Sequence, residues 1–107
     1  LGPWRVGTDA VGDPGAPPYR LEDNAHSLLA DSDLVFIDPV GTGHSRMADG
    51  EKPAEYHEYQ RDLDAFAEFI RLWLARHGRF GSPKYLIGES YGTTRAAGLV
   101  KHLQDRH

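Results

Sequence analysis

One serine in this sequence stands in a residue pattern that suits a nucleophile. The segment Gly88-Glu89-Ser90-Tyr91-Gly92 fits the Gly-x-Ser-x-Gly pattern of a nucleophile elbow, in which a tight strand-to-helix turn lifts the serine hydroxyl toward a substrate carbonyl. We expect Gly88 and Gly92 to relieve clashes with the flanking elements. We expect the amide of Tyr91, at the helix N-terminus, to point toward the oxyanion that develops when Ser90 attacks.

An elbow needs a strand before the serine and a helix after it, and the flanking sequence predicts both. Residues 85–87 (Tyr-Leu-Ile) form a short apolar run typical of a buried strand. Residues 93–104 predict a helix with five apolar side chains facing inward: Ala96, Ala97, Leu99, Val100 and Leu103. A glycine-rich chain can contain Gly-x-Ser-x-Gly by chance. The prediction of a nucleophile elbow therefore rests on the strand predicted before the motif and the helix predicted after it. The alternative is a glycine-rich turn in which Ser90 only caps the helix.

The middle of the chain predicts a second strand and helix of the same kind. Residues 34–37 (Leu-Val-Phe-Ile) are a continuous apolar run, which is typical of a parallel strand covered on both faces. A long helix from about Pro53 to His77 is then predicted, ended by Gly78. Its apolar stripe comprises Tyr56, Tyr59, Leu63, Phe66, Ile70 and Trp73 or Leu74. Strand, helix, strand and helix in this order predict an α/β fold with parallel strands and crossover helices.

The first thirty residues predict smaller elements. Two short strands, Pro3–Val6 and Tyr19–Glu22, flank a segment rich in Gly and Pro that cannot sustain a helix or a central strand. We therefore expect a hairpin or a loop excursion. Residues 24–30 predict a short helix capped by Asp23 or Asn24.

The composition excludes several classes of function. The 107 residues are 39% hydrophobic and 26% charged with a net charge of −4, and they contain neither a membrane-spanning apolar run nor a basic patch for nucleic acid or anionic membrane. The absence of cysteine excludes disulfides and thiolate metal sites. His57-Glu58 begins a zinc-protease pattern, but Arg61 stands where the second histidine ligand must be. We expect no metal and no cofactor.

Three stretches together resemble the serine carboxypeptidase family of α/β-hydrolases. Residues 34–45 are similar to the family's Leu-Phe-Val-Asp-Gln-Pro-Val-Gly-Thr-Gly-Phe-Ser, without the Gln before Pro39 and with His44 in place of an aromatic residue. Residues 24–28 resemble its Asn-x-x-Ser-Trp, and residues 88–91 match its Gly-Glu-Ser-Tyr. The similarity covers almost the whole chain in order and spacing, and the variant spellings resemble bacterial members.

The resemblance implies a serine-type carboxypeptidase, which removes C-terminal residues from peptides through an acyl-enzyme on Ser90 without a cofactor. It implies that the Tyr91 amide is one oxyanion donor and that Glu89 helps to recognise the terminal carboxylate of the substrate. A protonated glutamic acid can donate a hydrogen bond to that carboxylate, whereas an ionised one repels it. It also implies a secreted or periplasmic protein, although the chain shows no signal peptide.

We expect residues 1–107 to be a fragment of a single α/β-hydrolase catalytic domain. The chain begins at Leu1 rather than Met, and the family's other oxyanion donor lies in a Gly-Gly-Pro-Gly segment expected upstream. The triad Asp and His follow the nucleophile in this fold, and neither His102 nor His107 can be assigned as the base. We therefore expect the chain alone to be inactive and to self-associate through uncovered sheet edges.

Two alternatives stay open. The first is another acyl-transfer chemistry on the same scaffold, either an esterase or a carboxypeptidase-like acyltransferase. The second is a non-catalytic folded remnant or an interaction module.

Overall fold

A computed structural model describes residues 2–50, 52 and 58–106, without the side chain of residue 106. Within these residues the chain forms two strands, β1 (Trp4–Val6) and β2 (Leu21–Asp23), a 3₁₀ helix (Leu28–Ala30) and two long helices, α1 (Tyr59–His77) and α2 (Tyr91–Arg106). The chain divides into two compact units, Leu1–Ile37 and Asp38–His107. These strands and helices are consistent with part of an α/β fold, but the two strands pair antiparallel rather than parallel.

The first unit is built on an antiparallel hairpin. β1 and β2 pair in the register Trp4 to Asp23, Arg5 to Glu22 and Val6 to Leu21. The Arg5 Nε donates to Glu22 Oε1 across the pair at 2.9 Å, where opposite charges face each other directly. Of the two expected arrangements, a hairpin or a loop excursion, the hairpin is observed. β1 starts one residue later than predicted, and β2 starts two residues later and ends one residue later.

The predicted helix at residues 24–30 is wrong in length and in cap. Only Leu28–Ala30 is helical, as a 3₁₀ turn whose cap is Ser27, and the Ser27 Oγ accepts from the Leu29 amide at 3.2 Å. The Asn24 side chain is engaged elsewhere, because its Nδ2 donates to the Gly2 carbonyl at 2.9 Å and its Oδ1 accepts from the His26 amide at 3.1 Å. Asn24 therefore ties the end of the hairpin to its start instead of capping a helix.

Helix α1 ends where the sequence predicts. Gly78 takes the left-handed conformation with φ 63° and ψ 36°, and the Arg79 amide donates to the Leu74 carbonyl at 2.9 Å. This is the usual glycine-terminated helix end. At the other end, Glu58 is extended and the helix begins at Tyr59. The predicted start near Pro53, with Tyr56 on the stripe, lies outside the described residues.

The second unit has its core between α1 and α2. The buried side chains are Leu63, Ala67 and Leu99, and Phe66, Ile70 and Leu103 pack against them. The predicted inward positions are thus confirmed at Leu63, Phe66, Ile70, Leu99 and Leu103. The prediction is wrong at Ala97, which is exposed, and at Val100, which is 44% exposed. Helix α2 also extends beyond its predicted 93–104 at both ends.

The two predicted parallel strands are absent from the described part of the chain. Residues 34–37 and 85–87 belong to no helix or strand and pair with no strand of the described residues. A strand requires a hydrogen-bonded neighbour, and apolar side chains in these segments lie open, with Phe36 65% and Tyr85 83% exposed. The parallel crossover unit is therefore not formed by these residues on their own, and the α/β-hydrolase sheet stays a prediction.

No helix in the described residues is both long enough and apolar enough to cross a membrane.

Candidate active site

The backbone of Ser90 is unusual. Among the described residues other than glycine, Ser90 alone has a positive φ, at 55°. A residue with a side chain in this region costs about 1–3 kcal/mol and persists only where the surrounding structure holds it there. Here the turn of residues 88–93, called the Ser90 turn below, carries three hydrogen bonds: Gly92 N to Glu89 O at 2.9 Å, Thr93 N to Ser90 O at 3.0 Å and Thr93 Oγ1 to Gly88 O at 3.3 Å.

Gly88 is required by a close approach within this turn. A Cβ at Gly88 would overlap the carbonyl of Gly92 and lie 2.8 Å from the Thr93 nitrogen. Both are backbone groups and cannot rotate away. At Gly92 an added Cβ meets no atom of the described residues within 4 Å. This close approach gives a steric reason for a glycine at position 88, and the roles of Gly88 and Gly92 in an elbow stay predictions.

The Ser90 side chain is accessible at the start of a long helix. Helix α2 begins at Tyr91, directly after Ser90. The first amides of a helix have no intrahelical acceptor and carry a partial positive charge. Glu89 and Ser90 are both exposed, and Tyr91 is 55% exposed. The turn thus presents a hydroxyl and a carboxyl group to solvent beside the positive end of α2.

An ion pair that the sequence analysis did not predict, Arg95 with Asp62, lies next to Tyr91 of this turn. The Arg95 Nε donates to Asp62 Oδ2 at 2.6 Å, and its Nη2 donates to Asp62 Oδ1 at 3.3 Å. The Arg95 guanidinium also lies over two rings, 4.7 Å from the centre of Phe66 and 5.1 Å from that of Tyr91. A spacing signal existed, because Asp62 lies four positions before Phe66 and Arg95 lies four positions before Leu99, so each shares a helix face with a residue of the core.

The histidine of α2 is engaged far from Ser90. The His102 Nε2 lies 3.1 Å from Asp64 Oδ1, and the His102 Nδ1 lies 3.2 Å from the side-chain Nε2 of Gln60. Twelve positions separate Ser90 from His102, which is about 18 Å along an α-helix. His102 therefore cannot take a proton from Ser90. His107 lies outside the described residues.

The segment that resembles the family between residues 34 and 45 ends in a loop held by its own hydrogen bonds. The Asp38 carboxylate accepts from the His44 amide at 2.8 Å, and the Asp38 carbonyl accepts from Ser45 Oγ at 2.8 Å. The contribution of His44 to this network comes from its backbone, which any residue type except proline supplies. A Cβ at Gly43 would overlap the Asp38 carboxylate.

Metal binding finds no support in the described residues. They contain no group of three or more His, Asp or Glu side chains that could hold an ion. His57, which begins the incomplete zinc pattern, lies outside them.

Comparison with known proteins decides the family. A family model described as serine carboxypeptidase matches residues 1–107. This chain belongs to the serine carboxypeptidase family. The family is one of peptidases, which are hydrolases. No solved structure matches the chain.

Two curated relatives of this serine carboxypeptidase chain come from Arabidopsis thaliana. Serine carboxypeptidase-like 8 is 30% identical over 92 residues, which is 83% of this chain and 20% of that protein. Serine carboxypeptidase-like 15 is 29% identical over 89 residues, which is 79% of this chain and 20% of that protein. The chain therefore spans about a fifth of the length of these curated relatives. The bacterial character of its motif spellings stays a prediction.

Proposed function

We propose that Ser90 is the nucleophile of a serine-type carboxypeptidase, which removes C-terminal residues from peptides. The observation that carries the proposal is the positive φ of 55° at Ser90, in a turn that leads directly into α2. A nucleophile elbow needs this conformation to raise the hydroxyl above the helix start. Membership of a peptidase family supports the reaction class.

The reaction would proceed in two balanced steps. The Ser90 oxygen attacks the carbonyl carbon of the C-terminal peptide bond as a general base takes its proton, and the carbonyl oxygen becomes an oxyanion. The Tyr91 amide donates a hydrogen bond to that oxyanion. The C–N bond then breaks, the leaving amino acid takes the proton, and water hydrolyses the acyl-enzyme to restore Ser90.

Other parts of the protein would complete this machinery. We propose that residues 1–107 are a fragment of a single α/β-hydrolase catalytic domain. Its second oxyanion donor would lie upstream and its triad Asp and His downstream, in the chain order of that fold. Two observations support this: the chain spans about a fifth of its curated relatives, and His102 lies too far from Ser90. Residues 1–107 alone should be inactive.

We also propose that Glu89 recognises the terminal carboxylate of the peptide. Its exposed side chain is adjacent in sequence to Ser90, on the side of the turn that faces solvent. A protonated carboxyl group at this place can donate to the substrate carboxylate, so the activity should be favoured in acid. A secreted or periplasmic location would agree with such an enzyme and stays a prediction.

Labelling with a fluorophosphonate tests the nucleophile. Intact-mass analysis of the full-length protein that carries this chain should show one adduct, which the variant Ser90→Ala abolishes. Residues 1–107 alone should show no adduct. A folded full-length protein without an adduct would contradict the proposal and leave the non-catalytic interpretation.

Substrate assays then separate the acyl-transfer chemistries. A carboxypeptidase should cleave a blocked dipeptide with a free C-terminal carboxylate, and should do so faster at acid than at neutral pH. Hydrolysis of simple esters without cleavage of the dipeptide would indicate an esterase. Transfer of the acyl group to an alcohol in preference to water would indicate an acyltransferase.

A further inference from the structure

The Arg95–Asp62 ion pair joins α2 to α1. Two nitrogen atoms of one guanidinium meet the two oxygens of one carboxylate, and the side chains are only 20% and 12% exposed. The chemically similar pair of Arg71 and Glu68 on α1 is 44% and 55% exposed. A half-buried pair of this kind is screened much less by solvent than a surface pair. Arg95 therefore has a defined orientation between the two helices.

The two rings close to the Arg95 guanidinium connect this pair to the Ser90 turn. Phe66 belongs to α1, whereas Tyr91 is the first residue of α2 and follows Ser90 directly. A planar guanidinium can donate to a carboxylate in its plane while its faces contact aromatic rings, which an ammonium group cannot do. Arg95 thus links Tyr91 to Phe66 and Asp62 on α1.

The position of Arg95 near the N-terminus of α2 is electrostatically unfavourable for a cation. A cation in the first turns of α2 faces the positive end of the helix dipole and is disfavoured there. Asp62 on α1 supplies the compensating charge. A second contact acts on the same turn, since the Tyr59 hydroxyl donates to the Thr94 carbonyl at 3.2 Å. The first two turns of α2 are therefore held against α1 at two points, Thr94 and Arg95.

We propose that Arg95 is a positioning residue for the nucleophile. Together with Asp62 it would fix Tyr91 and the first turn of α2, and through them the left-handed backbone of Ser90 and the amide that faces the oxyanion. This inference rests on the proposed acylation of Ser90. Its physical basis is that a strained conformation lasts only where its surroundings hold it, and that small displacements of a nucleophile cost large factors in rate.

The test compares Arg95→Lys with Arg71→Lys in the full-length protein. Both substitutions remove a two-nitrogen contact with a carboxylate and keep the charge, but Arg71 lies on an exposed face of α1. We expect Arg95→Lys to lower the rate constant for fluorophosphonate acylation of Ser90, and kcat on a blocked dipeptide, by about tenfold or more, with KM changed by less than about twofold. Arg71→Lys should leave all three at the parent values.

Hydrogen exchange provides a readout that does not depend on catalysis. In Arg95→Lys the amides of Thr93 and Thr94 should exchange at least about tenfold faster, while those in the middle of α1 keep their protection. If Arg95→Lys lowers thermal stability but each folded molecule acylates at the parent rate, the positioning role is wrong. If the parent protein is never acylated, the proposed function fails, and the exchange comparison alone decides whether Arg95 orders the turn.

Discussion

The phenol of Tyr59 lies against α2 at Gly98, where the helix has no side chain. A Cβ at Gly98 would overlap the Tyr59 hydroxyl and lie 3.1 Å from Leu63 Cδ1. The small residue therefore allows α1 and α2 to approach closely. This approach also brings the hydroxyl of Tyr59 within 3.2 Å of the Thr94 carbonyl, one turn before Gly98.

Replacing this glycine should weaken the contact between the helices. Gly98→Ala gains about 0.5–1 kcal/mol from the lower backbone entropy of the unfolded chain, but inserting a methyl group into a packed contact costs about 1–3 kcal/mol. We expect the free energy of unfolding of the full-length protein to fall, as measured by chemical denaturation. Tyr59→Leu combined with Gly98→Ala should cost less than the sum of the two single changes. A more stable Gly98→Ala protein would contradict this packing.

The two glycines that flank Ser90 should differ in their tolerance of alanine. Gly88→Ala places a methyl group into the Gly92 carbonyl, so the turn must open and the fluorophosphonate rate at Ser90 should fall by at least about a hundredfold. Gly92→Ala is the matched control, because its Cβ meets no described atom within 4 Å. Circular dichroism checks that both variants are folded. Equal loss in both would show that the remainder of the protein crowds Gly92 as well.

Ser90→Gly should make the protein more stable and inactive. Because glycine adopts the left-handed conformation without strain, the substitution should raise the free energy of unfolding by about 1–2 kcal/mol. The larger backbone entropy of glycine in the unfolded chain should lower it again by about 0.5–1 kcal/mol. Ser90→Ala loses the same hydroxyl but keeps the strain, so it is the matched control. Denaturation should place Ser90→Gly above Ser90→Ala in free energy of unfolding. The opposite order would mean that Ser90 adopts another backbone conformation in the full-length protein.

A surface pair on α2 makes a prediction about pH. The Lys101 Nζ lies 2.5 Å from Asp105 Oδ2. This hydrogen bond, and then the attraction between the charges, raises the pKa of Lys101 above its ordinary value of 10.5. Because the folded-state pKa is the higher one, the stabilisation is complete below the unfolded-state pKa and is lost as the pH rises through the folded-state value.

Asp105→Asn should therefore lower the pKa of Lys101, as followed by an NMR titration of the lysine side chain. The effect on stability should be small, because the pair is solvent-exposed. In about 1 M salt the difference between the parent and variant pKa values should become smaller, since salt screens the attraction between the charges. An unchanged pKa of Lys101 in Asp105→Asn at low salt would show that the two side chains do not pair in solution.

Only part of the α1–α2 contact could be predicted from the sequence. Apolar spacing predicts Leu63, Phe66 and Ile70 correctly, because α1 has a single apolar stripe. On α2 the apolar spacing predicts that Ala97 and Val100 face inward, but both are exposed. It does not predict Arg95 and His102, which pair with residues of α1. Polar residues occupy part of the inward face of α2 because α1 presents Asp62 and Asp64 opposite them. A polar residue can lie on the inward face of α2 only where α1 supplies a charged or hydrogen-bonding partner. The spacing of residues along α2 alone does not reveal that partner.

The sequence by itself determined the features that depend on neighbouring residues. These are the motif around Ser90 and the end of α1 at Gly78, and the resemblance of the motifs adds the family. Turn geometry and helix termination are decided by contacts within a few positions, so residue type suffices for them. Only the tertiary structure decided the Arg95–Asp62 pair and the lack of strand pairing at residues 34–37 and 85–87. Both depend on segments that lie far away along the chain, because Asp62 is 33 positions from Arg95 and a strand forms only where another strand pairs with it.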